Sequence, residues 1–506
     1  MINDRQIILQ SHQINHLNNI ERIISNYAGY IDGSPTGSGK TFVTMYIAKK
    51  LKLPLYIICP TDVASNWENL CLMYNIPVID VITYQSFTSK VGKQPKHGLL
   101  DRVDTAVPGK KEVFTTYTPT ETLINIVENG VFFIMDEAQK LKNDSMQSLA
   151  CTEVTNLIAN TMSRSKFAML SGSLFDKEEH VIQILKLLCF LDKTYNPIYH
   201  NITLFDKFIT LMGVLCNPAL LLPNAKKPTN HKSRTIREYC YSLFITDIKK
   251  TFSSSMERPI YTCKQIFRNS FYLSNSEIAE QLREEVDKFA EKANLGRTQA
   301  EVIRKRKLGD IDNTSFIHYL MKIEELKLEI FARVGFKIFE ENPTCKLIVC
   351  LNYIESMKIL ADMMREYNPV IFNGTVKPEL RAKIIENFQT DDKCRFIIMN
   401  TALSAGFNLH DIQGNRPRYM LISPDYKVIS IHQAIGRINR SGMLSDTYVD
   451  IIYSLSASKE YDIIEALVDK SSILSSIHDM QVESGMIFPG DFPIFKEGAE
   501  KDSDDE

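Results

Sequence analysis

The chain has 506 residues, of which 44% are hydrophobic, so it can bury large cores and is predicted to form more than one domain. Its formal net charge of -2 excludes a uniformly basic protein, and nucleic-acid binding would need local basic surfaces. Ten cysteines without a C-x-x-C pair favour structural thiols in a reducing compartment over a metal site. Neither a secretory signal nor an uninterrupted apolar segment long enough for a membrane span is visible.

A first α/β pattern begins near the N-terminus. Short β-branched runs alternate with helical patterns, as is typical of a parallel sheet covered by helices. The runs are residues 56–60, 77–84, 131–138 and 166–173. The stretch 86–120 is rich in Lys, Gly and Pro and is predicted to be an insertion or a long loop. These patterns predict a first domain over residues 1–195.

Long helical patterns at 277–293 and 318–341 predict a helical region over residues 196–334. The α/β alternation then returns and predicts a second domain over residues 335–475. Its strand-like runs are residues 346–353, 369–374, 394–400, 418–424 and 447–454. Residues 476–506 form an extension with an acidic, low-complexity tail that is expected to be disordered. The predicted fold class is therefore α/β, with two parallel sheets flanked by helices and a helical insertion between them.

The segment PTGSGKT lies between the strand-like YAGYID and the helical TFVTMYIAKKL. A glycine-rich turn at that place directs backbone N–H groups and a helix N-terminus towards phosphate oxygens. Lys40 is predicted to contact the β- and γ-phosphates of ATP, and the Thr41 hydroxyl to bind magnesium. The strict pattern has Gly or Ala where this chain has Ser34, and a glycine-rich turn without a ligand is the alternative. The predicted nucleotide-binding residues of the loop are Pro35, Thr36, Gly37, Ser38, Gly39, Lys40 and Thr41.

The apolar run VFFIM ends in two carboxylates, Asp136 and Glu137. A carboxylate at a strand end suits a magnesium ligand, which is the role predicted for Asp136. Its neighbour Glu137 can orient or deprotonate the attacking water in phosphoryl transfer. Solvated surface charge is the alternative for such a pair, but a phosphate loop earlier in the same sheet favours a hydrolytic site.

The segment HQAIGRINRSG places Arg437 and Arg440 three residues apart, hence on one face if the segment is helical. Arginines at that spacing could reach across a cleft and stabilise charge on the transferring phosphate. A solvated basic helix end is the alternative.

The order PTGSGKT, MDEAQ, LSGS (170–173), NTALSAGFNL (400–409) and QAIGRINR resembles that of the superfamily-two helicases and translocases. In that superfamily the ATP site lies between two RecA-like lobes, and the resemblance, over residues 5–455, implies ATP and magnesium as cofactors. The segments LQSHQINHL, ICPTDVASNWENL, ITYQSF and GFNL are similar to those of the Swi/Snf-type branch of double-stranded DNA translocases. This likeness implies nucleotide-binding roles for Gln13, as the adenine reader, and for Gly406, whereas Trp67 would pack in the core.

Three segments depart from the branch pattern. The chain has DEAQ where the branch usually ends in His, LSGSLF in place of Thr-Gly-Thr-Pro, and LFITDIKK (243–250) in place of a double-arginine segment. These departures put details of the coupling between hydrolysis and DNA in doubt and leave the ATPase assignment intact. Small motors of this type resemble transcription-associated ATPases of large cytoplasmic DNA viruses.

The resemblance places DNA across the tops of both lobes, against segments that follow strands. The candidate contacts are Pro60, Thr61, Thr83, Tyr84, Gln85, Asn373, Gly374, Asn400 and Thr401. Small polar groups and backbone amides suit phosphates, which carry position and not sequence, and a loop cap is the alternative for each residue. The basic stretches 226–237 and 304–307 either add salt-sensitive attraction or are solvated surface.

These observations predict a magnesium- and ATP-dependent motor that translocates on duplex DNA in transcription or DNA remodelling, with a transcription-machinery protein as a further partner. Its catalytic residues would be Lys40, Glu137, Arg437 and Arg440. The first alternative is a strand-separating DNA or RNA helicase, for which no unwinding pin is recognisable in the sequence. The second is a nucleotide-gated scaffold, against which the presence of all four catalytic residues argues. The predicted location is the cytoplasm or nucleus, or the virion if the source is viral.

Overall fold

The computed structural model describes most of the chain. The described residues are 6–90, 92–106, 113–191, 240–257, 262–272, 280, 284, 313–401, 407–440, 442–454, 460, 463–464, 467–471 and 473. These residues divide into two compact units. The first unit comprises the described residues up to Glu257 with Phe407 and Ile473, and the second comprises the others. Each unit has its own parallel sheet, which confirms the predicted fold class.

The first unit is built on a sheet of six parallel strands in the order β3-β2-β6-β7-β1-β8. The described strands of this unit are β1 Gly29–Asp32, β2 Leu55–Cys59, β3 Val78–Thr83, β4 Leu100–Ala106, β5 Val113–Pro119, β6 Phe132–Asp136, β7 Lys166–Leu170 and β8 Ser253–Ser254. Successive side chains of β6 enter different apolar layers: Phe132 and Ile134 lie in one buried cluster, and Phe133 and Met135 lie in the other. The sheet is therefore covered on both faces, as a near-continuous apolar strand predicts.

Helices cover these two faces. Their bounds are Ser11–Asn26, Lys40–Leu51, Thr61–Met73, Tyr84–Thr88, Glu121–Asn129, Met146–Asn160, Val181–Leu187 and Lys249–Phe252. A π-helical turn, Phe244–Ile248, precedes the last of them, and Ala138–Leu141 and Glu178–His180 are 3-10 turns. The segment LFITDIKK is thus helical.

A β-hairpin occupies much of the stretch predicted as an insertion or long loop. Strands β4 and β5 pair antiparallel as a separate two-stranded sheet. Its buried face combines the apolar Leu100 and Tyr117 with a polar group: the Arg102 guanidinium donates to Asp104 at 2.9 Å, and Thr115 donates to the same carboxylate at 2.6 Å. Because charged residues interrupt the apolar residues of this buried face, the strands lack the alternation by which a half-buried strand is recognised.

The second unit is also built on six parallel strands, in the order β11-β12-β10-β13-β14-β9. The strands are β9 Gln265–Tyr272, β10 Lys346–Leu351, β11 Val370–Phe372, β12 Phe396–Asn400, β13 Arg418–Ile422 and β14 Thr447–Ser454. The helices are Asn313–Glu325, Leu328–Glu341, Ile354–Met363, Pro378–Thr390 and Val428–Ile435, with a 3-10 turn Arg365–Tyr367. The long helical pattern predicted at 318–341 is thus divided between two helices.

The predicted domain boundaries stay a prediction. Much of the region predicted as helical, residues 196–334, lies outside the described residues, as do nearly all of the helical pattern 277–293 and the whole extension 476–506. Two strands fall within that region, β8 in the first sheet and β9 in the second.

Candidate ATP site

The phosphate loop has the predicted strand-turn-helix form. Strand β1 ends at Asp32, and the helix begins at Lys40. Gly37 and Gly39 have φ angles of 85° and 94°. Residues with a Cβ atom adopt this left-handed backbone region only with strain. A Cβ on Gly39 would also lie 2.3 Å from Nε2 of Gln13. Both glycines are therefore required by the shape of the turn.

Lys40 and Ser38 define how the loop is folded. The Lys40 ammonium donates to the carbonyls of Ser34 at 2.8 Å and Pro35 at 3.2 Å. The Ser38 hydroxyl donates to the Pro35 carbonyl at 2.7 Å. The loop thus curls around the lysine head group, which is held at the start of the helix.

Gln13, the predicted adenine reader, lies against this loop. Its side-chain amide donates to the Ser38 carbonyl at 3.1 Å and accepts from the backbone N–H of Gln10 at 2.8 Å. The His12 ring lies 3.2 Å from the same Ser38 carbonyl. The structure therefore places the Gln segment beside the phosphate loop, and adenine reading by Gln13 stays a prediction.

The Asp136 carboxylate is held by two N–H donors. The Trp67 indole donates to Oδ2 at 2.8 Å, and the backbone N–H of Glu137 donates to Oδ1 at 2.9 Å. Burial, reinforced by Glu137, raises the pKa of Asp136 to about 6, while Trp67 and the charge of Lys40 oppose the rise. Trp67 is 0% exposed, which confirms its predicted place in the core. Its bond to Asp136 was not predicted.

Glu137 is linked to the LSGS segment through Gln139. The Gln139 amide donates to the Glu137 carboxylate at 2.6 Å, and its oxygen accepts from the Ser171 hydroxyl at 2.6 Å. A carboxylate can only accept, so the amide orientation is fixed by its two partners. Gln139, which stands where the branch usually has His, therefore connects the acidic pair to the next segment of the sheet.

The LSGS segment also packs against the phosphate loop. The backbone N–H of Ser171 donates to the Asp32 carbonyl at 3.0 Å. A Cβ on Gly172 would lie 3.0 Å from the Ser34 carbonyl and 3.1 Å from the Thr36 nitrogen. Three sequence segments predicted to act together thus meet at the carboxyl end of the first sheet.

A buried network beneath the loop was not predicted. The His16 ring lies 3.0 Å from the Asp32 carboxylate and 2.9 Å from the Ser254 hydroxyl. Burial opposes ionisation of Asp32, but His16 and Lys40 outweigh it and hold the pKa of the carboxyl below its ordinary value. A signal was present in the sequence, because a carboxylate inside an apolar strand is costly to bury without partners.

The two arginines lie in the second unit, just after the helix Val428–Ile435. Arg437 is 3% exposed, and its carbonyl accepts from Leu409 at 2.9 Å. Arg440 is half-buried, and its Nε donates to the Gly436 carbonyl at 3.1 Å. The helix ends before both residues, and tighter turns follow it. In one of them the Arg437 N–H donates to the carbonyl of Ala434, three residues earlier. The segment is therefore not α-helical at the two arginines, so the condition for a shared helical face is not met, and the finger role stays a prediction.

Candidate nucleic-acid contacts of the first unit differ in exposure. Thr61 and Gln85 are exposed, and the Thr83 hydroxyl caps the next helix by accepting from Ser86 at 3.1 Å. Pro60 is buried. Tyr84 is also buried, and its hydroxyl donates to the Asp136 carbonyl at 2.8 Å, which leaves only its backbone for a ligand.

In the second unit, Gly374 is exposed and the other candidates make internal bonds. Asn373 accepts from the Thr375 hydroxyl, Asn400 donates to the Asn352 carbonyl at 2.9 Å, and Thr401 donates to the Leu351 carbonyl at 3.3 Å. Only the Asn373 bond is local, as the loop-cap alternative expects, and nucleic-acid contact by these residues stays a prediction. Gly406 and the basic stretches 226–237 and 304–307 lie outside the described residues.

The described residues contain no group of three or more His, Cys, Asp or Glu side chains arranged to hold a metal ion, and their nine cysteines are free thiols. Among the described helices, none has the length and apolar character that crossing a membrane requires.

Comparison with known proteins supports the predicted family. The model of the helicase conserved C-terminal domain matches residues 322–442, which contain β10 to β13 and both arginines. A protein of Acanthamoeba polyphaga mimivirus that carries the name ATP-dependent RNA helicase is 23% identical over 95% of this chain and 85% of its own length. The DNA repair and recombination protein RAD54 of Saccharomyces cerevisiae is 25% identical over 33% of this chain and 18% of its own length. The chain is therefore similar to superfamily-two helicases of the Swi/Snf type.

These similarities confirm the predicted resemblance, and the chain is a nucleic-acid-dependent ATP hydrolase. A RAD54-like protein of Drosophila ananassae is 28% identical over 29% of this chain and 18% of its own length, so the matches to RAD54 proteins cover less than a fifth of those relatives. A Sulfolobus solfataricus SWI2/SNF2 ATPase core in complex with dsDNA aligns over 95% of this chain and 99% of that chain, at 14% identity and a TM-score of 0.31.

Proposed function

We propose that this helicase is a double-stranded DNA translocase that hydrolyses ATP with magnesium. The observation that carries the proposal is the meeting of the phosphate loop, the Asp136-Glu137 pair and the LSGS segment at one edge of the first sheet. The similarity to RAD54 proteins, named for DNA repair and recombination, supports DNA as the polymer.

Magnesium would be held by Asp136 and Thr41. A carboxylate and a hydroxyl are the hard oxygen ligands that magnesium takes together with nucleotide phosphates. The Asp136 carboxylate is already orientated by Trp67 and the Glu137 N–H, so it fits this role. Held there, magnesium would supply positive charge against the charge that develops on the phosphates.

Lys40 would contact the β- and γ-phosphates, and Glu137 would orient the attacking water and accept its proton. The Gln139 amide nitrogen donates to one oxygen of the Glu137 carboxylate at 2.6 Å, and this bond holds that oxygen in a defined direction. Arg437 and Arg440 would stabilise charge on the transferring phosphate.

Gln13, Gly406 and the loop residues would complete the nucleotide site. Duplex DNA would be contacted through phosphates by the exposed Thr61, Gln85 and Gly374 and by backbone groups of the other candidate residues. The same activity would serve transcription or DNA remodelling. A protein of the transcription machinery would be a further partner.

The test is ATP turnover measured in parallel with duplex DNA, single-stranded DNA and RNA, with Glu137→Gln as the inactive control. Duplex DNA should stimulate turnover most, and the stimulation should fall steeply with salt because phosphate contacts release counterions. Greater stimulation by RNA would contradict the choice of polymer. Low rates that no polymer changes would support the nucleotide-gated scaffold.

A strand-separating helicase is the second candidate, and the hairpin β4–β5 favours it. The hairpin is fixed to the helix Tyr84–Thr88, because the Tyr117 hydroxyl donates to the Thr88 carbonyl at 2.9 Å and Arg102 donates to the Ser89 carbonyl at 2.9 Å. Its outer face carries Phe114, which is 64% exposed and could stack against a base. A hairpin anchored beside a candidate nucleic-acid segment is the kind of element that strand separation needs.

A further inference from the structure

Ser34, the residue that departs from the strict phosphate-loop pattern, is buried and makes three hydrogen bonds. Its N–H donates to Asp32 at 3.0 Å, and its carbonyl accepts from Lys40 at 2.8 Å. Its hydroxyl oxygen accepts from the backbone N–H of Met256 at 2.9 Å. Gly or Ala at this position would keep the two backbone bonds and lose the third.

The bond to Met256 joins the loop to a segment that is distant in sequence. We name residues 253–256 the connecting segment, because the second unit begins soon after it, at Thr262. Within this segment β8 pairs with β1, and the Ser254 carbonyl accepts from the Gly33 N–H at 2.9 Å. The Ser255 hydroxyl donates to the Gly33 carbonyl at 3.2 Å. The base of the phosphate loop and the connecting segment are therefore one hydrogen-bonded structure.

A buried hydrogen-bonded network lies beneath this structure. Asp32 and His16 are both buried and in contact at 3.0 Å, and Ser254 completes the network. Each buried polar group here has its partner within the network, and moving one would leave another unsatisfied at a cost. The Ser34 N–H is held by the same Asp32 carboxylate, so Ser34 lies where the network meets the loop.

We propose that Ser34 is a positioning residue that transmits the state of the phosphate loop to the connecting segment. The proposal rests on the nucleotide-binding role given to Lys40 in the proposed function. When the Lys40 ammonium contacts a phosphate, it must release or share the Ser34 carbonyl. The position of Ser34 then changes, and its hydroxyl bond passes the change to the Met256 N–H.

Hydrogen exchange measured by mass spectrometry tests this transmission. The full chain is saturated with magnesium and a non-hydrolysable ATP analogue, without nucleic acid, and peptides that contain Met256 are followed. In the wild-type protein the analogue should change exchange of this amide by about fivefold, the size expected for one hydrogen bond. Ser34→Ala should exchange faster without nucleotide and should lose the response, although a fluorescent analogue still binds.

Matched variants separate transmission from general loosening. Ser34→Thr keeps a hydroxyl and should retain the response, whereas Ser34→Cys offers a weak acceptor and should reduce it. Ser255→Ala removes a neighbouring bond of the same segment but not the Ser34 bond, and should also retain the response. Ser34→Cys serves as the deciding variant if Ser34→Ala does not fold.

Two results would overturn the proposal: an unchanged response in Ser34→Ala or Ser34→Cys, or no response in the wild-type protein at saturation. Because nucleic acid is absent from this experiment, failure of DNA to stimulate turnover would contradict the proposed function and leave this inference standing. A wild-type protein that binds no nucleotide would overturn both.

Discussion

At the scale of single residues, Lys40 and Glu137 differ in what they contact. Lys40 is bonded to two carbonyls of the phosphate loop, whereas Glu137 is bonded to Gln139 and lies beside Asp136. One residue thus belongs to the part that would bind phosphate, and the other to the part that would act on water. Substitutions at the two positions should therefore have different consequences.

We expect Lys40→Ala to weaken ATP binding by at least tenfold, because a charge-assisted contact to phosphate is lost. We expect Glu137→Gln to retain ATP and to stop hydrolysis, because the amide cannot accept the proton of water. Equilibrium binding of a fluorescent ATP analogue and steady-state turnover measure the two effects. Lys50→Ala, which removes an exposed ammonium from the same helix, is the matched control. Equal loss of nucleotide binding in both variants would count against the role of Glu137.

At the scale of elements, His410 makes the stability of the second unit depend on pH. Burial, and then the charges of Arg440 and Arg418, lower the pKa of His410 to about 4. The unfolded chain takes up this proton near its ordinary pKa of about 6.5, but the folded unit does not until about pH 4. The contribution of neutral His410 to stability is therefore complete above about pH 6.5 and is lost as the pH falls towards 4.

The second unit should accordingly lose about 3 kcal/mol of stability through His410 between pH 6.5 and 4. His410→Gln should lack this part of the pH dependence, while the effect of the neighbouring Asp411 remains in both proteins. Hydrogen exchange of β13 in the two proteins, at a series of pH values, measures the difference. Parallel pH profiles would show that His410 becomes protonated in the folded unit.

The elements that the sequence predicted correctly are those with a continuous local signal. The strands that end at Asp136 and Leu170 are apolar on both faces, and the glycines of the phosphate loop are spaced by the turn they form. The hairpin β4–β5 was missed because charged residues interrupt the apolar residues of its buried face. Strand β9 was missed because its place is fixed by pairing with β14, which follows it by more than a hundred residues.

The candidate site shows the same division. Loop residues and the acidic pair could be predicted, because each contact depends on neighbours in sequence. The partners of Asp136 and Ser34 could not: Trp67 is 69 residues from Asp136, and Met256 is 222 residues from Ser34. Contacts of that separation depend on the complete fold of the unit, and a local pattern carries no record of them.

At the scale of the whole molecule, the residues proposed to act in hydrolysis are divided between the two units. The phosphate loop belongs to the first unit, and Arg440 belongs to the second. A finger that acts in the transition state contributes to turnover and little to binding of the ground state.

We therefore expect Arg440→Ala to lower turnover by about a thousandfold or more, with little change in ATP affinity. Duplex DNA should still bind, because a residue that contacts the transferring phosphate is not a DNA contact. Turnover, nucleotide titration and DNA binding are measured on the same preparations, with Lys358→Ala as a control that removes an exposed charge from the same unit. Normal turnover with lost DNA binding would show that QAIGRINR is a nucleic-acid surface.

Translocation and strand separation make different demands on the whole molecule. A translocase should displace the third strand of a triplex from duplex DNA faster than it separates a forked duplex. Phe114→Ser, on the outer face of the hairpin, should leave triplex displacement unchanged. Efficient separation of the fork without triplex displacement, lost in Phe114→Ser, would instead establish the second candidate function and identify the hairpin as the separating element.

Trp67 is the only tryptophan of the chain, and its indole N–H is bonded to the proposed magnesium ligand Asp136. The intrinsic fluorescence of the protein is therefore a label-free reporter placed at the site by the fold itself. Magnesium binding in the presence of ADP should draw charge from the carboxylate, weaken this bond and shift the emission. Trp67→Phe supplies the spectroscopic blank, and Asp136→Asn should abolish the magnesium-dependent part of the signal. An emission spectrum that stays constant through saturation would mean that the metal binds away from Asp136.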